Sequence, residues 1–510
     1  MAHNVGDKMA FKVPAEIHEL VPEELRSKYG IYWSSKGERY YVFRDVAHVY
    51  DPSKKRSSVK RVALGSIKDG VFTYSPSYLK TLKIAKLQEQ NETLSKSAAS
   101  GETRRPEPTT VVKPKVVREI QKALEPVVDP RLHRKKVAYP LQTVLTVVLL
   151  AAFAGLTSAV SAAVYWRQHR AELAELIDDF PEEDISHDTI NRVLQLIDAE
   201  QFHGLLTRMT SGLISQAVNR VFHIDGQAVT ASKSDTALKG RYVFNAYDSI
   251  NQVVVASLLI EEKKNEISTA IELLSMLDLK PGDLITADAM NTQKALVQYL
   301  AERGVGYCLA IKENHPTLQK EVHFLFATVE ESRRRKCRTL DADRGRIEER
   351  SVTVLPASLL SNRFHQEWNG LKGGCIVKVT NNTEAKGKRG RNSSQTRYFM
   401  TTIPFSEDAA AVAGEIIRRH WSIENNVHWA LDVSFDQDRM QCTNANYLSN
   451  RVTLNKIALN VLRAAQNATD VNGRRNSVKT MQQLCSTPAG AIETMGTALG
   501  LQGLLDGVKG

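Results

Sequence analysis

The hydrophobic pattern of residues 219–311 constrains the fold more than any other feature of the chain. Three strand-like runs come first, RVFHIDGQAVTASK, RYVFNAYDS and QVVVASLLIEEK. A helix, a short buried strand, a second helix and another buried strand follow, in NEISTAIELLSMLDL, DLITADAM, TQKALVQYLAERG and GYCLAIK. Successive strands form an antiparallel meander, whereas strands that alternate with helices join a sheet in parallel. The order therefore predicts a mixed α/β architecture built on one sheet.

This element order is typical of a ribonuclease-H-like layer. Residues 331–405 interrupt it with RRRKCR, with the β-like segments RGRIEERSVTVL, CIVKVT and YFMTTIP, and with basic loops. These features predict a mainly β insertion. We expect the core to comprise residues 219–330 and 406–466, followed by a tail of unassigned role at 467–510.

Two helices are predicted after the insertion. In the segment 406–429, Ser406 is a candidate helix cap, and Glu407 and Asp408 fall in the first turn, where carboxylates favour the helix dipole. The segment 447–466, YLSNRVTLNKIALNVLRAAQ, is strongly periodic, and we expect it to pack on the sheet.

Residues 116–218 are predicted to form a helical domain. The apolar stretch 140–166 is long enough, at roughly 20 or more residues, to be considered as a membrane span. Threonines, serines and Gly155 dilute it, so we interpret it as two packed core helices broken near that glycine. Ser186 is a candidate cap for the periodic run that follows it.

The N-terminal residues 1–93 are predicted to form a small β module with a trailing helix at 78–93. YYVFRDVAHVY, VKRVALGSI and VFTYS have the composition of three strands, and the Ser-, Thr- and Pro-rich stretch 94–115 indicates a linker. Two interpretations of the basic hairpin remain open: a DNA-binding surface, or a hairpin whose lysines prevent edge pairing. Its basic residues are Lys54, Lys55, Arg56, Lys60 and Arg61.

Positive charge is concentrated near the N-terminus. The chain has 68 Lys and Arg and 57 Asp and Glu, a formal charge of +11. Residues 31–120 hold 18 Lys and Arg and 9 Asp and Glu, a surplus of 9. Such a surplus favours a polyanionic partner, nucleic acid first and an anionic membrane surface second. A basic connector in the helical domain adds Arg134, Lys135 and Lys136 as candidate DNA contacts.

The cysteines do not suggest a disulfide framework or a zinc knuckle. They are five in number, none of them in CxxC spacing, so a reducing compartment is the default. The N-terminal segment MAHNVGDKMAFKVPAEIHEL has no apolar signal region. We therefore expect a cytoplasmic protein.

Two acidic residues stand at the ends of predicted strands. Asp225 follows the apolar run VFHI, and Asp288 follows the buried strand LITA. A carboxylate at the end of a core strand is unfavourable unless it is paired, hydrated or bound to a cation, and α/β sheets bind ligands at strand ends. Asp is also a common strand-end and cap residue, so each position alone is weak evidence.

A third candidate lies in the segment RRHWSIENNVHW. His420, Glu424 and His428 are spaced i, i+4 and i+8 and share one helix face. Histidines at this spacing can chelate zinc, but the HExxH pattern is absent. In the alternative interpretation only Glu424 is a ligand, and with the two aspartates it makes an all-oxygen set suited to Mg²⁺ or Mn²⁺. Arg418 and Arg419 would then meet phosphate.

Five sequence blocks occur in a fixed order: HIDGQ, ITADAMNTQKA, YCLAIKENHPTL, RGRIEER and RRHWSIENNVHWALDVSFDQD. Together they resemble the DDE transposases of bacterial insertion sequences, in the ISAs-type group that includes the H-repeat-associated proteins. The segment from LEPVVDPRLHRKKVAYPL to SHDTINRVLQLID resembles the helical domain that precedes the catalytic domain in that group. The resemblance covers residues 120–465. The N-terminal strands resemble those of some other insertion-sequence transposases and phage-type recombinases.

The resemblance implies a DNA transposase in which Asp225, Asp288 and Glu424 are the catalytic residues and hold two Mg²⁺ or Mn²⁺ ions. It implies double-stranded DNA as partner, both terminal inverted repeats and target, and a homodimer or higher synaptic complex at the bacterial nucleoid, with no membrane partner. Lys312, at the end of YCLAIK, joins Arg418 and Arg419 as an expected DNA contact. Trp421, next to them, is either a further contact or a packing residue, and His420 and His428 are either near the metals or core histidines.

The chain departs from the family pattern at two places. Gln227 stands where Lys is common, and RMQCTNAN replaces a basic run after LDVSFDQD. Both changes weaken the expected DNA contacts. Two alternatives therefore remain: a catalytically inactive DNA-binding relative acting as a repressor or architectural protein, and a two-metal nuclease without strand transfer.

Overall fold

The computed structural model forms two compact units, residues 1–105 and 106–510. The residues that it describes are 13–22, 25, 30–34, 39–51, 56–68, 70–75, 112–131, 137–216, 218–229, 241–260, 266–343, 346–385, 392–442, 444–469 and 475–500.

The first unit contains an antiparallel sheet of four strands in the order β1-β2-β3-β4. A short helix, α1 (Ala15–Glu19), precedes the sheet. The strands are β1 (Gly30–Ser34), β2 (Arg39–Asp51), β3 (Arg56–Lys68) and β4 (Val71–Tyr74).

The sequence predicted only three of these strands. The missed strand β1 is five residues long, and its pairing with β2 defines it. Val42, Leu64 and Ile67 lie in the small buried core of this unit. The predicted helix 78–93 falls outside the described residues.

In the second unit, helices come first within the described residues, and the predicted helical segment is confirmed. They are α2 (Val112–Leu124), α3 (Leu141–Phe153), α4 (Ala159–Gln168), α5 (Arg170–Leu176), α6 (His187–Leu196) and α7 (Ala199–Ser211).

The apolar stretch 140–166 is divided as expected. Gly155, just after α3, has a φ of +76° and ends that helix. Ser158 then caps α4 by accepting a hydrogen bond from the amide of Ser161. Among the described residues, no helix combines the length and the apolar character needed to cross a bilayer. Ser186 caps α6 through the amide of Thr189, as predicted.

A nine-stranded mixed sheet forms the centre of the second unit, in the order β10-β11-β12-β13-β9-β8-β5-β6-β7. Its strands are β5 (Val221–Val229), β6 (Arg241–Asp248), β7 (Val253–Ile260), β8 (Leu284–Ala287), β9 (Gly306–Ile311), β10 (Arg335–Asp343), β11 (Arg346–Pro356), β12 (Cys375–Ala385) and β13 (Ser393–Thr401). The helices between them are α8 (Glu266–Ser275), α9 (Lys294–Ala301), α10 (Pro316–Thr328) and α11 (Asn362–Glu367).

The sheet combines both strand directions, as the sequence predicted. β5, β6 and β7 form an antiparallel meander, and β8 and β9 add to β5 in parallel. The strands of the 331–405 segment do not form a sheet of their own, because β13 pairs with β9 and so continues the central sheet.

The two faces of the sheet have different surroundings because strand side chains alternate. Phe222 and Ile224 of β5 point into an apolar core with α8, α9 and α10. The intervening residues, His223 and Asp225, therefore lie on the other face. That face is covered by the helix that begins at Ala409.

This helix was predicted in the right region but with the wrong start. α12 (Ala409–Ile423) has Asp408 at its N-cap without a side-chain hydrogen bond, and Ser406 lies in the preceding turn. Helix α12 continues through a π-helical turn, Glu424–His428, into α13 (Trp429–Ser434). π turns insert one residue in a helix and often occur at functional sites.

The last helices connect the sheet with the helical segment. α14 (Ala445–Ala468) packs on β7 on one side and on α3, α6 and α7 on the other, which confirms its predicted position. The sequence assigned no role to the tail, but α15 (Val478–Leu484) and α16 (Pro488–Ala498) bury Met481, Ile492 and Met495 in the helical core.

Gly155→Ala should destabilise the protein more than Gly500→Ala. Both glycines have a positive φ, which costs another residue about 1–3 kcal/mol. A Cβ at residue 155 would also lie 2.8 Å from the Gln482 side chain, which donates to the carbonyl of Ser434, whereas none of the described atoms lies within 4 Å at residue 500. Urea unfolding of both variants measures the difference, about 1 kcal/mol for the hydrogen bond. Equal losses would contradict this account.

Candidate active site

The three predicted acids line one cavity of about 210 Å³. Asp225 lies on β5, Asp288 directly follows β8, and Glu424 begins the π-helical turn. β5 and β8 run parallel, with Ile224 opposite Ala287. The next residues along the chain are Asp225 and Asp288, which therefore lie on the same face of the sheet. The helix that covers this face carries Glu424 to the same cavity.

Asp288 is held as a carboxylate. Burial raises its pKa, but hydrogen bonds from the amide of Ala289 and from Lys312, together with the positive charge of Lys312, lower the pKa below its usual value. The Lys312 Nζ lies 3.0 Å from the Asp288 Oδ1. Lys312, predicted as a DNA contact, therefore lines the cavity and pairs with one of its acids.

Glu424 shows the opposite shift. Burial raises its pKa, and the negative charge of Asp288 adds to the rise, whereas Arg397 opposes it. Arg397 lies on β13 and lines the cavity, with its guanidinium 4.6 Å from the centre of the Trp421 ring. The sequence analysis missed Arg397, because it assigned this residue to the end of a basic loop, whereas the structure places it on β13. Trp421 also lines the cavity and is 38% exposed, so it is not a buried packing residue.

Two histidines share the hydroxyl group of Thr286: His223, which is buried, and His420, which lines the cavity. Thr286 Oγ1 lies 2.6 Å from Nδ1 of His223 and 2.7 Å from Nδ1 of His420. A hydroxyl group has one proton, so one ring must donate to Thr286 while the other accepts from it. Burial lowers the pKa of both rings, to about 4 for His420, so both are neutral at pH 7. This chain of hydrogen bonds fastens α12 to β5 and β8.

His428 provides a second connection between the helix and the sheet. Its Nε2 lies 3.3 Å from Nδ2 of Asn245, and its Nδ1 lies 3.7 Å from Oδ2 of Asp225. Burial, with a contribution from the charge of Lys456, lowers the pKa of His428 to about 4. The His428 ring in this contact is therefore neutral at pH 7.

Gln227, which departs from the family pattern, makes a third connection. Its Nε2 donates to Oδ1 of Asp432 at 2.7 Å and to the carbonyl of His428 at 3.3 Å. Burial raises the pKa of Asp432 to about 6. Gln227 thus joins β5 to the π turn and α13, a role that the sequence did not reveal.

The remaining basic candidates lie away from this cavity or outside the described residues. Arg418 pairs with Asp341 at 2.8 Å, and Arg419 pairs with Glu415 at 2.9 Å. The side chains of the candidates on β3 are not described, although their backbone is; these are Arg56, Lys60 and Arg61. Wholly outside the described residues are Lys54, Lys55, Arg134, Lys135 and Lys136.

The donor chemistry of the cavity fits a hard divalent cation. Its three carboxylates offer oxygen ligands, as Mg²⁺ and Mn²⁺ prefer. Cys308 also lines the cavity, but burial raises the pKa of its thiol to about 12, so it offers no thiolate for zinc. Within the described part of the chain, no three His, Cys, Asp or Glu side chains lie close enough together to hold a metal ion.

Thr286→Val should lower the free energy of unfolding by about 1–3 kcal/mol, because it leaves buried histidine nitrogens without a partner. Thr286→Ser retains the hydroxyl group and is the matched control, with a loss below about 1 kcal/mol. Chemical denaturation at pH 7 measures both variants. A valine variant as stable as the serine variant would show that the hydroxyl bridge contributes nothing to stability.

Comparisons with known proteins give a consistent result. Residues 216–461 match the family model described as "Transposase DDE domain", and residues 121–209 match the model described as "DDE_Tnp_1-associated". The first match contains all three acids of the cavity, and the second contains most of the helical segment.

Curated bacterial relatives match over much of their length. The chain is 30% identical over 281 residues to the H repeat-associated putative transposase YhhI of Escherichia coli K12, covering 54% of this chain and 72% of the relative. It is 28% identical to the putative protein YbfL of the same strain, covering 64% of this chain and 86% of the relative. It is also 28% identical to the putative transposase YncI of Escherichia coli O157:H7, covering 64% and 83%. The chain therefore belongs to the DDE transposases, in the group that includes the H repeat-associated proteins.

Proposed function

We propose that this transposase binds the terminal inverted repeats of its own insertion sequence and catalyses metal-dependent cleavage and transfer of DNA strands. Asp225, Asp288 and Glu424 are the proposed catalytic residues. The observation that carries the proposal is their position on one cavity, although 199 residues separate the first from the last. The strand order β7-β6-β5-β8-β9 supports the proposed ribonuclease-H-like core, since a meander is extended by parallel strands as the sequence predicted.

The proposed chemistry uses the acids as ligands. When bound, two Mg²⁺ or Mn²⁺ ions would activate the attacking water or 3′-hydroxyl group and stabilise the leaving oxygen. Asp225, on β5, is the proposed carboxylate that both ions would share. Asp288 and Glu424 would each complete the ligands of one ion.

The cations of the cavity have a separate role in this proposal. Lys312 and Arg397 both line it, and positive side chains attract the DNA backbone and hold the phosphodiester in place. Arg397 offers a planar guanidinium, which is suited to phosphate oxygens. The neutral His223 and His420 position the helix and add no charge that would repel a divalent cation.

Asp225→Asn, Asp288→Asn and Glu424→Gln should each abolish metal-dependent cleavage of DNA that carries the element's ends. Each substitution should remove several kcal/mol of the transition-state stabilisation that depends on the metal ions. The cleavage rate would then fall by about a thousandfold or more. DNA binding in EDTA should remain. Asp278→Asn, which removes an exposed acid at another position, is the control. Wild-type cleavage by any one of the three variants would refute the assignment of that residue.

Strand transfer separates a transposase from a nuclease that uses the same site. The proposed activity joins a pre-cleaved 3′-hydroxyl end to a target plasmid, whereas a nuclease only cuts. The inactive alternative, a repressor or architectural protein, would bind the ends without metal-dependent cleavage. Sedimentation with and without end DNA tests the proposed dimer or higher synaptic complex.

Removal of residues 1–95 should weaken DNA binding and reduce its dependence on salt. Each lost phosphate contact lowers the slope of log affinity against log salt by about 0.9. The basic hairpin, with Lys54, Lys55 and Arg56, is the proposed contact. Binding isotherms between about 50 and 200 mM salt measure the slope. A truncated chain with an unchanged slope would show that this surface is only solvated.

A further inference from the structure

A row of polar side chains extends from Asp225 across β6 and β7. Asp225 is directly opposite Asn245 of β6, and Asn245 is directly opposite Ser257 of β7. Residues directly opposite each other on antiparallel strands lie on the same face, with Cβ atoms about 4.5–5.5 Å apart. Asn245 and Ser257 are both buried. The three side chains therefore form a continuous polar row on the face of the sheet that bears the carboxylate cavity.

Lys456 of α14 ends this row. Its side chain is fully buried, and its Nζ donates a hydrogen bond to Oγ of Ser257. Burial lowers the pKa of Lys456, and no carboxylate of the described residues contributes an opposing effect. A lysine withdrawn from water without a carboxylate partner costs stability. This cost favours a functional role for the amine over simple packing.

Asn245 determines which nitrogen of the His428 ring carries the proton. Nδ2 of Asn245 lies 3.3 Å from Nε2 of His428. An amide nitrogen only donates, so Nε2 accepts, and the neutral ring carries its proton on Nδ1. That nitrogen lies 3.7 Å from Oδ2 of Asp225. The ring therefore presents an N–H group, and not a lone pair, to the carboxylate.

The other end of the Asn245 amide lies next to Ser257. Oδ1 of Asn245 is buried and has no hydrogen-bond partner among the described residues. Ser257 accepts from Lys456, so its single hydroxyl proton remains available for an acceptor. Because the two residues are cross-strand neighbours, this amide oxygen is the acceptor that we assign to it. The donors of the resulting chain then all point from Lys456 toward Asp225.

The direction of this chain depends on the amine. Without a donor at residue 456, the Ser257 hydroxyl group could accept from Nδ2 of an Asn245 amide turned end for end. Oδ1 would then accept from Nε2 of His428, and the ring proton would move to that nitrogen. Nδ1 would be left as an acceptor beside Asp225, and its lone pair would repel the carboxylate.

We propose that Lys456 is a positioning residue for Asp225. It acts through the polar row and His428, by fixing the direction of the hydrogen bonds so that the ring presents its N–H group to the carboxylate. Hydrogen-bond partners orient the ligands of a metal, and their loss typically costs about 10–100-fold in metal affinity. The inference rests on the proposed function, in which Asp225 binds both ions. It extends that function to a helix that does not line the cavity.

The first measurement is the ¹⁵N spectrum of the histidine rings in the full chain, without metal or DNA. Protonated and unprotonated ring nitrogens have different chemical shifts, and loss of a signal in His428→Gln assigns it. We expect the Nδ1–H tautomer of His428 in the wild type. In Lys456→Met we expect the Nε2–H tautomer or a mixture of the two.

Arg451→Met is the matched control. Arg451 is a second fully buried basic side chain of α14, but it donates to the carbonyl of Leu156 after α3 and not to the sheet. Its removal should therefore leave the His428 tautomer as in the wild type. A change of tautomer in both variants would show a general effect of altered packing and would overturn the proposal.

The second measurement is Mn²⁺ binding by the full chain, from the electron paramagnetic resonance signal of the free ion. Binding that remains in Asp225→Asn is subtracted as background. We expect Lys456→Met to bind Mn²⁺ about 10–100-fold more weakly and Arg451→Met to bind it as the wild type does. Binding of end-containing duplex in EDTA should be unchanged in both variants, because the proposed role concerns only the metal ligand.

A second pair of variants applies if the melting temperature shows that Lys456→Met is poorly folded. Ser257→Ala removes the hydroxyl group that connects Lys456 to Asn245, and it should change both the tautomer and the Mn²⁺ affinity. Ser257→Thr keeps the hydroxyl group and should retain both wild-type values. A wild-type value of either quantity in folded Lys456→Met, or in Ser257→Ala, overturns the proposal.

Failure of this inference is distinguishable from failure of the proposed function. Wild-type Mn²⁺ affinity in folded Lys456→Met, with cleavage still lost in Asp225→Asn, overturns only the role of Lys456. A wild-type chain that neither binds Mn²⁺ nor cleaves end-containing duplex overturns the proposed function, and this inference with it.

Discussion

The hydrogen-bonded contact between the covering helix and the sheet is the interaction on which the candidate site depends. Asp225 and Asp288 come from adjacent strands, but Glu424 belongs to a helix that could cover the sheet at other angles. The shared hydroxyl group of Thr286 fixes α12 before the π turn, and Gln227 fixes the chain after it. All these contacts use neutral groups on the sheet side, so they hold the helix without placing a competing charge beside the acids.

The pKa of each acid in the cavity depends on its burial and on the charge of its neighbours. Lys312 bonds Asp288 and stabilises its carboxylate, whereas burial and the neighbouring negative charge make ionisation of Glu424 less favourable. Two acids of one cavity therefore have pKa values shifted in opposite directions. A divalent cation would remove this difference, because its charge favours the ionised form of every ligand.

Sequence patterns predicted the elements well where a local period is long and clear. The alternation of strands and helices from 219 to 311 and the periodic helix α14 were located correctly. The patterns failed where pairing or burial, rather than a local period, defines the element: β1 exists through its pairing with the next strand, β2, and α15 and α16 exist through burial in the helical core. Buried polar residues of α14 were equally unpredictable, since Lys456 is buried against Ser257 of β7.

By itself the sequence determined the acids, their order and the elements that carry them, because strand and helix periods are local properties of the chain. Family resemblance then predicted which acids are catalytic. Only the tertiary structure decided that Arg397 enters the same cavity as Glu424, and that Arg419 faces a different pocket from Lys312. The physical reason is that strand pairing and the π turn set the direction of each side chain, and neither follows from the spacing of residues along the chain.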